Sequence, residues 1–359
     1  MLSDIQVLAK PDDCSGKIFA VSGLRFEDDI ATDLWQKIMD HKWILSEKLG
    51  REVGFPAACL DYLDAVGVDD KIVRDRQADL LDELGAQFID RDVWDTISDT
   101  QPPKQLVRRR IILPLREEKL SRKHGVVPPK TLIFFGPPGT GKTHFVKAMA
   151  GTLAWWYIEI SPSLLMADGV EKIGANLRRI MEKIRKLDEA VVFIDEFEEI
   201  ASSRDEASRV DRSITNEFLK QVPLLKKEGK KILLVCATNY IRDLDSALLR
   251  PGRFDCIIPV GSLDDEGRRT ILQHYNSKVN ARNINLDLIV SLTQNFTPAD
   301  IELLYQIIAQ RSFEREYEIK QDYAVTTEDV ISEISKFRPS LTHEVIEDFR
   351  QDAIKYSRI

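Results

Sequence analysis

This chain has little from which to build a covalent or membrane framework. Its 359 residues include four cysteines, Cys14, Cys59, Cys236 and Cys256, far apart and without CxxC spacing. That pattern argues against a disulfide scaffold or a thiolate metal site and reads as buried thiols in a reducing, cytoplasmic setting. His41 has no metal-spaced partner and reads as an ordinary core or surface histidine. No apolar run approaches the roughly 18 residues of a membrane helix, so no membrane partner is expected. Met1 to Lys10 contains no signal-peptide core. Internal repeats and low-complexity tracts are missing too. Positive charge is scarce in one region: residues 1–100 carry 22 acidic and 11 basic side chains, within a net charge of −8. An acidic region repels phosphate, which disfavours nucleic acid as a partner.

What is present is an ordinary globular composition, 43% hydrophobic and 31% charged, long enough for two to three domains with their own cores. Lys17 to Phe26 reads as a strand. Trp35, Met39 and Trp43 at i, i+4, i+8 read as an amphipathic helix. Ala57 to Ala65 and Asp79 to Phe88 read as further helices. Pro102 and Pro103 stop any helix, and Lys104 to Ile112 reads as one ending before Pro114. Strands then alternate with helices. Trp155–Ile160, Ala190–Ile194, Lys231–Cys236 and Cys256–Val260 read as strands, with helices over Glu171–Leu187 and Asp211–Leu219. Such alternation predicts a parallel sheet covered on both faces. From Asp264 onward the pattern is helical, with Thr297, Thr327 and Thr342 as expected helix caps.

The strongest motif follows the apolar strand Thr131–Phe135. It is Gly136-Pro137-Pro138-Gly139-Thr140-Gly141-Lys142-Thr143, the pattern G-x-x-x-x-G-K-[ST] between strand and helix. Its glycines let backbone N–H groups turn around an anion, and the following helix, which begins Lys142-Thr143-His144, offers its positive end to the same anion. Lys142 suits β- and γ-phosphates, and the Thr143 hydroxyl suits Mg²⁺. The pattern implies a nucleoside triphosphate site.

Other segments complete the chemistry. Val191-Val192-Phe193-Ile194 ends in Asp195 and Glu196, which places two carboxylates at the carboxyl edge of the sheet. Asp195 is the candidate Mg²⁺ ligand and Glu196 the candidate general base for an attacking water. Leu233 to Thr238 ends in Asn239, a candidate partner of the γ-phosphate or of that water; taken alone, Asn239 reads rather as a turn former. Arg250 and Arg253 sit in Leu249-Arg250-Pro251-Gly252-Arg253-Phe254-Asp255, a stiff turn. Guanidinium groups on such a turn suit transferring phosphate charge, although surface ion pairs would also explain them.

Together these residues resemble an AAA+ ATPase of the AAA clade that includes katanin, spastin and the proteasomal ATPases. The resemblance runs from about residue 94 to 359. It is carried by Trp94, Asp95, Ile97, Lys104 and Ile111–Leu115, by the phosphate loop, by Asp195-Glu196, by Cys236–Asn239, and by Asp245–Asp255. It implies a P-loop αβα sandwich with a parallel sheet, followed by a small helical lid and preceded by a mostly helical N-terminal domain. The implied boundaries are 1–92 for partner or substrate recognition, 93–262 for the large ATPase subdomain and 263–359 for the lid. It also implies ATP with Mg²⁺, Ile97 at the adenine, a homo-oligomeric ring of commonly six subunits, and Arg250 and Arg253 acting on the neighbouring subunit's nucleotide. The expected activity is ATP hydrolysis that remodels a protein partner, with an adaptor or substrate recruited by the N-terminal domain; an ATP-switched scaffold is the alternative. Three positions depart from the family. Within Asp168-Gly169-Val170-Glu171, Gly169 stands where the pore loop usually carries an aromatic residue, with Leu165 and Met166 as weaker substitutes. Asp99 replaces a usual glycine, and Ala299 stands where a lid arginine would be.

Overall fold

The computed structural model describes residues 14–22, 26, 28–49, 53–65, 78–169, 172–201, 209–227 and 230–358. Two compact units divide the chain, Met1–Glu83 and Leu84–Ile359.

The described residues of the first unit form helices at Cys14–Ser22, Asp28–Leu49, Phe55–Ala65 and Ala78–Glu83. The strand expected over Lys17–Phe26 is instead the first helix. Cys14, Ile18 and Val21 recur at helical spacing, and Cys14 and Ile18 are buried with Ala31, Ile38, Cys59 and Leu63. The long helix forms as expected, but its buried stripe is centred on Ile38, and Trp43 is 66% exposed. His41 is tied to Asp61 across two helices, Nε2 to Oδ2 at 2.7 Å. The helix expected to reach Phe88 stops at Glu83, because Gly85 takes a left-handed conformation at φ +62°.

The second unit opens with a short 3-10 turn, Arg91–Thr96. Pro102 and Pro103 then start a helix rather than stop one, since a missing N–H is harmless in a first turn. That helix, Pro102–Val107, runs through a π turn at Arg108–Ile112 into Leu113–Arg116. The wider turn lets the Leu113 N–H reach Arg108 O and places Pro114 in another first turn, so the chain stays helical through the proline.

A five-stranded parallel sheet follows: β1 Thr131–Phe135, β2 Trp156–Ile160, β3 Ala190–Ile194, β4 Ile232–Thr238 and β5 Cys256–Pro259, in the order β2-β3-β4-β1-β5. β1, β3 and β4 are buried along their whole length, as a sheet covered on both faces requires. On one face Leu132, Phe134, Val191, Phe193 and Val235 pack with Phe145, Val146 and Met149 and with Val107, Ile111 and Ile112. Register sets the site: Phe135 lies opposite Thr238, and Ile194 opposite Cys236. The carboxyl ends of β1, β3 and β4 therefore open onto one edge.

The lid has its own core. Leu272, Ile289, Val290, Phe296, Ile301, Leu304, Tyr305 and Val330 close a cluster among the helices Asp265–Asn276, Leu286–Leu292, Pro298–Ile319 and Thr327–Ile334. Thr297 and Thr342 cap helices as expected, and Thr297 forms a reciprocal capping box with Asp300. The cap expected at Thr327 is Thr326, which makes the same box with Asp329. A last helix, His343–Tyr356, is pinned to the turn after β4 by Arg242, whose Nε donates to Asp352 Oδ1 at 2.6 Å. No described helix is long and apolar enough to cross a membrane.

Candidate active site

Three strand ends build the site. After β1 the chain must reverse tightly into the helix Lys142–Leu153, and Gly136, Gly139 and Gly141 take φ of +150°, +76° and +91° to do so. One of these leaves no room for a side chain, and a second leaves little. A Cβ on Gly136 would lie 2.0 Å from Val260 O, and one on Gly139 would lie 3.0 Å from Thr297 Oγ1 of the lid. Thr140 Oγ1 donates to Pro137 O at 2.9 Å and closes the loop from within. No side chain caps the helix at Gly141, so its first N–H groups remain available to an anion.

Lys142 is buried beneath the loop. Its ammonium donates to Gly136 O (2.8 Å), Pro137 O (3.0 Å) and Asn239 Oδ1 (2.7 Å). Burial pulls its pKa down to about 8, against the opposing pull of Asp195 and Glu198. Thr143 Oγ1 donates to Asp195 Oδ2 at 2.8 Å, joining the helix to the end of β3. Glu196 follows in a left-handed conformation at φ +49°, with its N–H on Asp195 Oδ1 at 2.9 Å. Negative charge on Glu199, together with burial and the charges of Asp195 and Glu198, raises its pKa. Glu198 accepts the Asn239 N–H at 3.0 Å, and its second oxygen is buried without a partner. The carboxylate thus fixes the backbone of Asn239 while the Asn239 side chain holds Lys142.

These groups line a cavity of about 560 Å³. Pro138, Gly139, Thr140, Gly141, Lys142, Thr143, His144, Ile97, Asp195, Glu196 and Asn239 all face it, while Gly136 and Pro137 act behind it through their carbonyls. Its far wall was not legible from motifs: Gln101, His274, Tyr275 and Glu302 line it, and Gln101 Nε2 donates to Asp264 Oδ1 at 2.8 Å across 163 residues of sequence. His144 shares a 2.7 Å hydrogen bond with Thr96 Oγ1. Burial lowers its pKa, helped by His274 and Lys147 and opposed by Glu302. Ile97 is held by Lys104, whose ammonium donates to Ile97 O at 2.5 Å, pairs with Asp99 at 2.8 Å and lies 5.3 Å from the Trp94 ring centroid. The residue that departs from the family pattern, Asp99, is therefore the ionic partner of a buried lysine.

Arg250 and Arg253 are not brought to this cavity. Arg250 is exposed, and Arg253 is half-buried with its Nη1 donating to Ala247 O. Of the pore-loop residues, Leu165 is fully buried, Leu164 and Met166 are exposed, and Gly169 has open space where a side chain would stand. Val170 and Glu171 lie outside the described residues.

A parallel sheet with a glycine-rich loop, a buried lysine and an acidic strand end defines a P-loop nucleotide-binding unit. Residues 132–262 match the family model described as ATPase family associated with various cellular activities (AAA), and the chain carries a AAA ATPase domain. It is 32% identical over 267 residues to the cell division cycle protein 48 homolog of Archaeoglobus fulgidus, covering 70% of this chain and 36% of that protein. It is also 32% identical over 200 residues to the proteasome-activating nucleotidase of Methanococcus maripaludis, covering 55% of this chain and 49% of that protein. The chain thus spans between 36% and 49% of the length of these two relatives. The crystal structure of the FIGL-1 AAA domain in complex with ADP superposes with a TM-score of 0.67 at 23% identity, over 80% of this chain and 99% of that one, a likeness of fold.

Proposed function

We propose that this protein hydrolyses ATP and uses the energy to remodel or disassemble a protein partner. One observation carries the reading: Pro138 to Thr143 of the phosphate loop, with Lys142 among them, converge with Asp195, Glu196 and Asn239 on one cavity. The glycine cradle and uncapped helix start receive the phosphates, and Lys142 neutralises them. Mg²⁺ fits the donor set, because Thr143 and Asp195 present hard oxygens already 2.8 Å apart, with the remaining ligands left to phosphate and water. Bound there, the ion would draw charge from the phosphate oxygens. Glu196 takes the proton of the attacking water, and its raised pKa makes it a better base than an ordinary glutamate. Asn239 orients the γ-phosphate or that water.

Arg250 and Arg253 complete the site of a neighbouring copy. That they do not line the chain's own cavity supports this reading, as does the family's habit of assembling rings, commonly of six. Residues 1–92 act as the recognition domain for an adaptor or substrate, 93–262 as the ATPase subdomain and 263–359 as the lid. Four buried thiols, far apart in the sequence, support a reducing compartment such as the cytoplasm. The exposed glycine at position 169 and the buried Leu165 favour one alternative, an ATP-switched scaffold that docks its partner without threading it.

The test is Glu196→Gln. We expect ATP binding to persist while turnover falls about 10²–10⁴-fold, the usual weight of a general base. Unchanged turnover would remove Glu196 from its role.

A further inference from the structure

One segment touches both the phosphate loop and the arginine turn. The helix His343–Tyr356 places Phe349 against the loop, its ring centroid 6.0 Å from that of Phe135. A Cβ on Gly261 would lie 2.3 Å from the Phe349 ring, and one on Gly136 would lie 3.1 Å from it. Arg242 anchors the same helix through Asp352 (2.6 Å) and Asp348 (3.2 Å).

Beyond the helix, Arg358 pairs with Ile257 of β5. Its N–H donates to Ile257 O at 3.0 Å, and its carbonyl accepts from Ile257 N–H at 2.7 Å. The guanidinium then spans the base of the arginine turn. Nη1 donates to Leu249 O at 2.5 Å, and Nη2 donates to Phe254 O. Those carbonyls immediately flank Arg250 and Arg253. Two of the carbonyls between them are also held, Gly252 O by Lys226 Nζ at 3.1 Å and Arg253 O by Thr131 Oγ1 at 2.8 Å. A planar guanidinium can bridge two separated acceptors in a fixed geometry, which an ammonium cannot do.

We infer that Arg358 is a positioning residue for the arginine turn. It fixes the direction in which Arg250 and Arg253 are offered to a neighbouring copy, and the helix behind it ties that direction to the chain's own phosphate loop. The inference rests on the reading that the arginines act between copies.

The experiment compares Arg358→Ala and Arg358→Lys in the full-length chain. Each alone should bind fluorescent ADP with unchanged affinity and lose about 10–100-fold in turnover, since misplacing a catalytic group by about 1 Å costs up to 10²-fold. Mixing then separates positioning from general damage. Glu196→Gln subunits carry intact arginines, so they should restore turnover in Arg358→Ala pockets; Arg253→Ala subunits should not. Failure of Glu196→Gln subunits to rescue, or weakened ADP binding by both variants, would overturn the assignment. Failure of the underlying reading looks different: Arg253→Ala alone would keep full turnover.

Discussion

The phosphate loop and the arginine turn are both short, glycine-containing links at sheet ends, and they are built to opposite purposes. In the loop, side chains and carbonyls are drawn inward: Lys142 takes up Gly136 O and Pro137 O, and the N–H groups at the helix start are left uncapped. In the turn, four backbone carbonyls are taken by Arg358, Lys226 and Thr131, and Arg250 is exposed. The loop is a receptor for phosphate charge and the turn a rigid mount for positive charge, and within one chain they do not meet. On the reading proposed above, in which the arginines act between copies, each chain needs a second copy to use both.

Removing the mounted charge should have the largest effect. Arg253→Ala should lower turnover by about 10³–10⁵-fold, as for other arginine fingers, while leaving ADP affinity unchanged. Turnover within threefold of the unmodified chain would break the comparison.

Glycine substitutions probe the two links next. Gly136→Ala drives a Cβ to 2.0 Å from Val260 O at φ +150°, so it should abolish tight nucleotide binding and destabilise the fold by several kcal/mol. Gly252→Ala at φ +87° meets nothing within 4 Å and should cost only about 1–2 kcal/mol of backbone strain. Thermal unfolding beside nucleotide titration measures both, and equal losses would show that the crowding around the loop is not what distinguishes it.

A pH series gives the smallest effect. Lys142 is charged below its pKa of about 8 and neutral above it. Phosphate binding favours the charged form, so above about pH 8 it must take up a proton, and affinity should fall by up to tenfold per pH unit. On the acid side the raised Glu196 pKa predicts that turnover is lost at a higher pH than an ordinary carboxylate would allow. A flat affinity between pH 7 and 9 would contradict the buried, desolvated lysine.

The receptor half was far more legible in the sequence than its surroundings. An all-apolar strand followed by Gly136–Thr143 constrains backbone and chemistry together within eight residues. Asp195 and Asn239 declared themselves because buried strands end abruptly in polar groups. The far wall of the cavity had no such signature: Gln101 is a lone buried polar residue just before a helix, His274 and Glu302 lie on helix surfaces where polar residues are unremarked, and only tertiary packing brings them in. The same holds for Phe349 and Arg358, whose partners at Gly136 and Leu249 lie more than a hundred residues upstream. Local misreadings had local causes. The apolar spacing of Cys14, Ile18 and Val21 fits a helix better than the strand first expected, Pro102 sits where a first helical turn tolerates it, and a π turn carries the helix past Pro114.

The most direct measurement is ATP turnover per subunit across a wide range of protein concentration, with Mg²⁺ present. The account predicts a specific rate that rises steeply and then saturates, as assembly brings each arginine turn to a neighbour's phosphate loop. A specific rate that is constant and appreciable down to concentrations where the chain is monomeric would contradict it, because a single chain would then complete its own site.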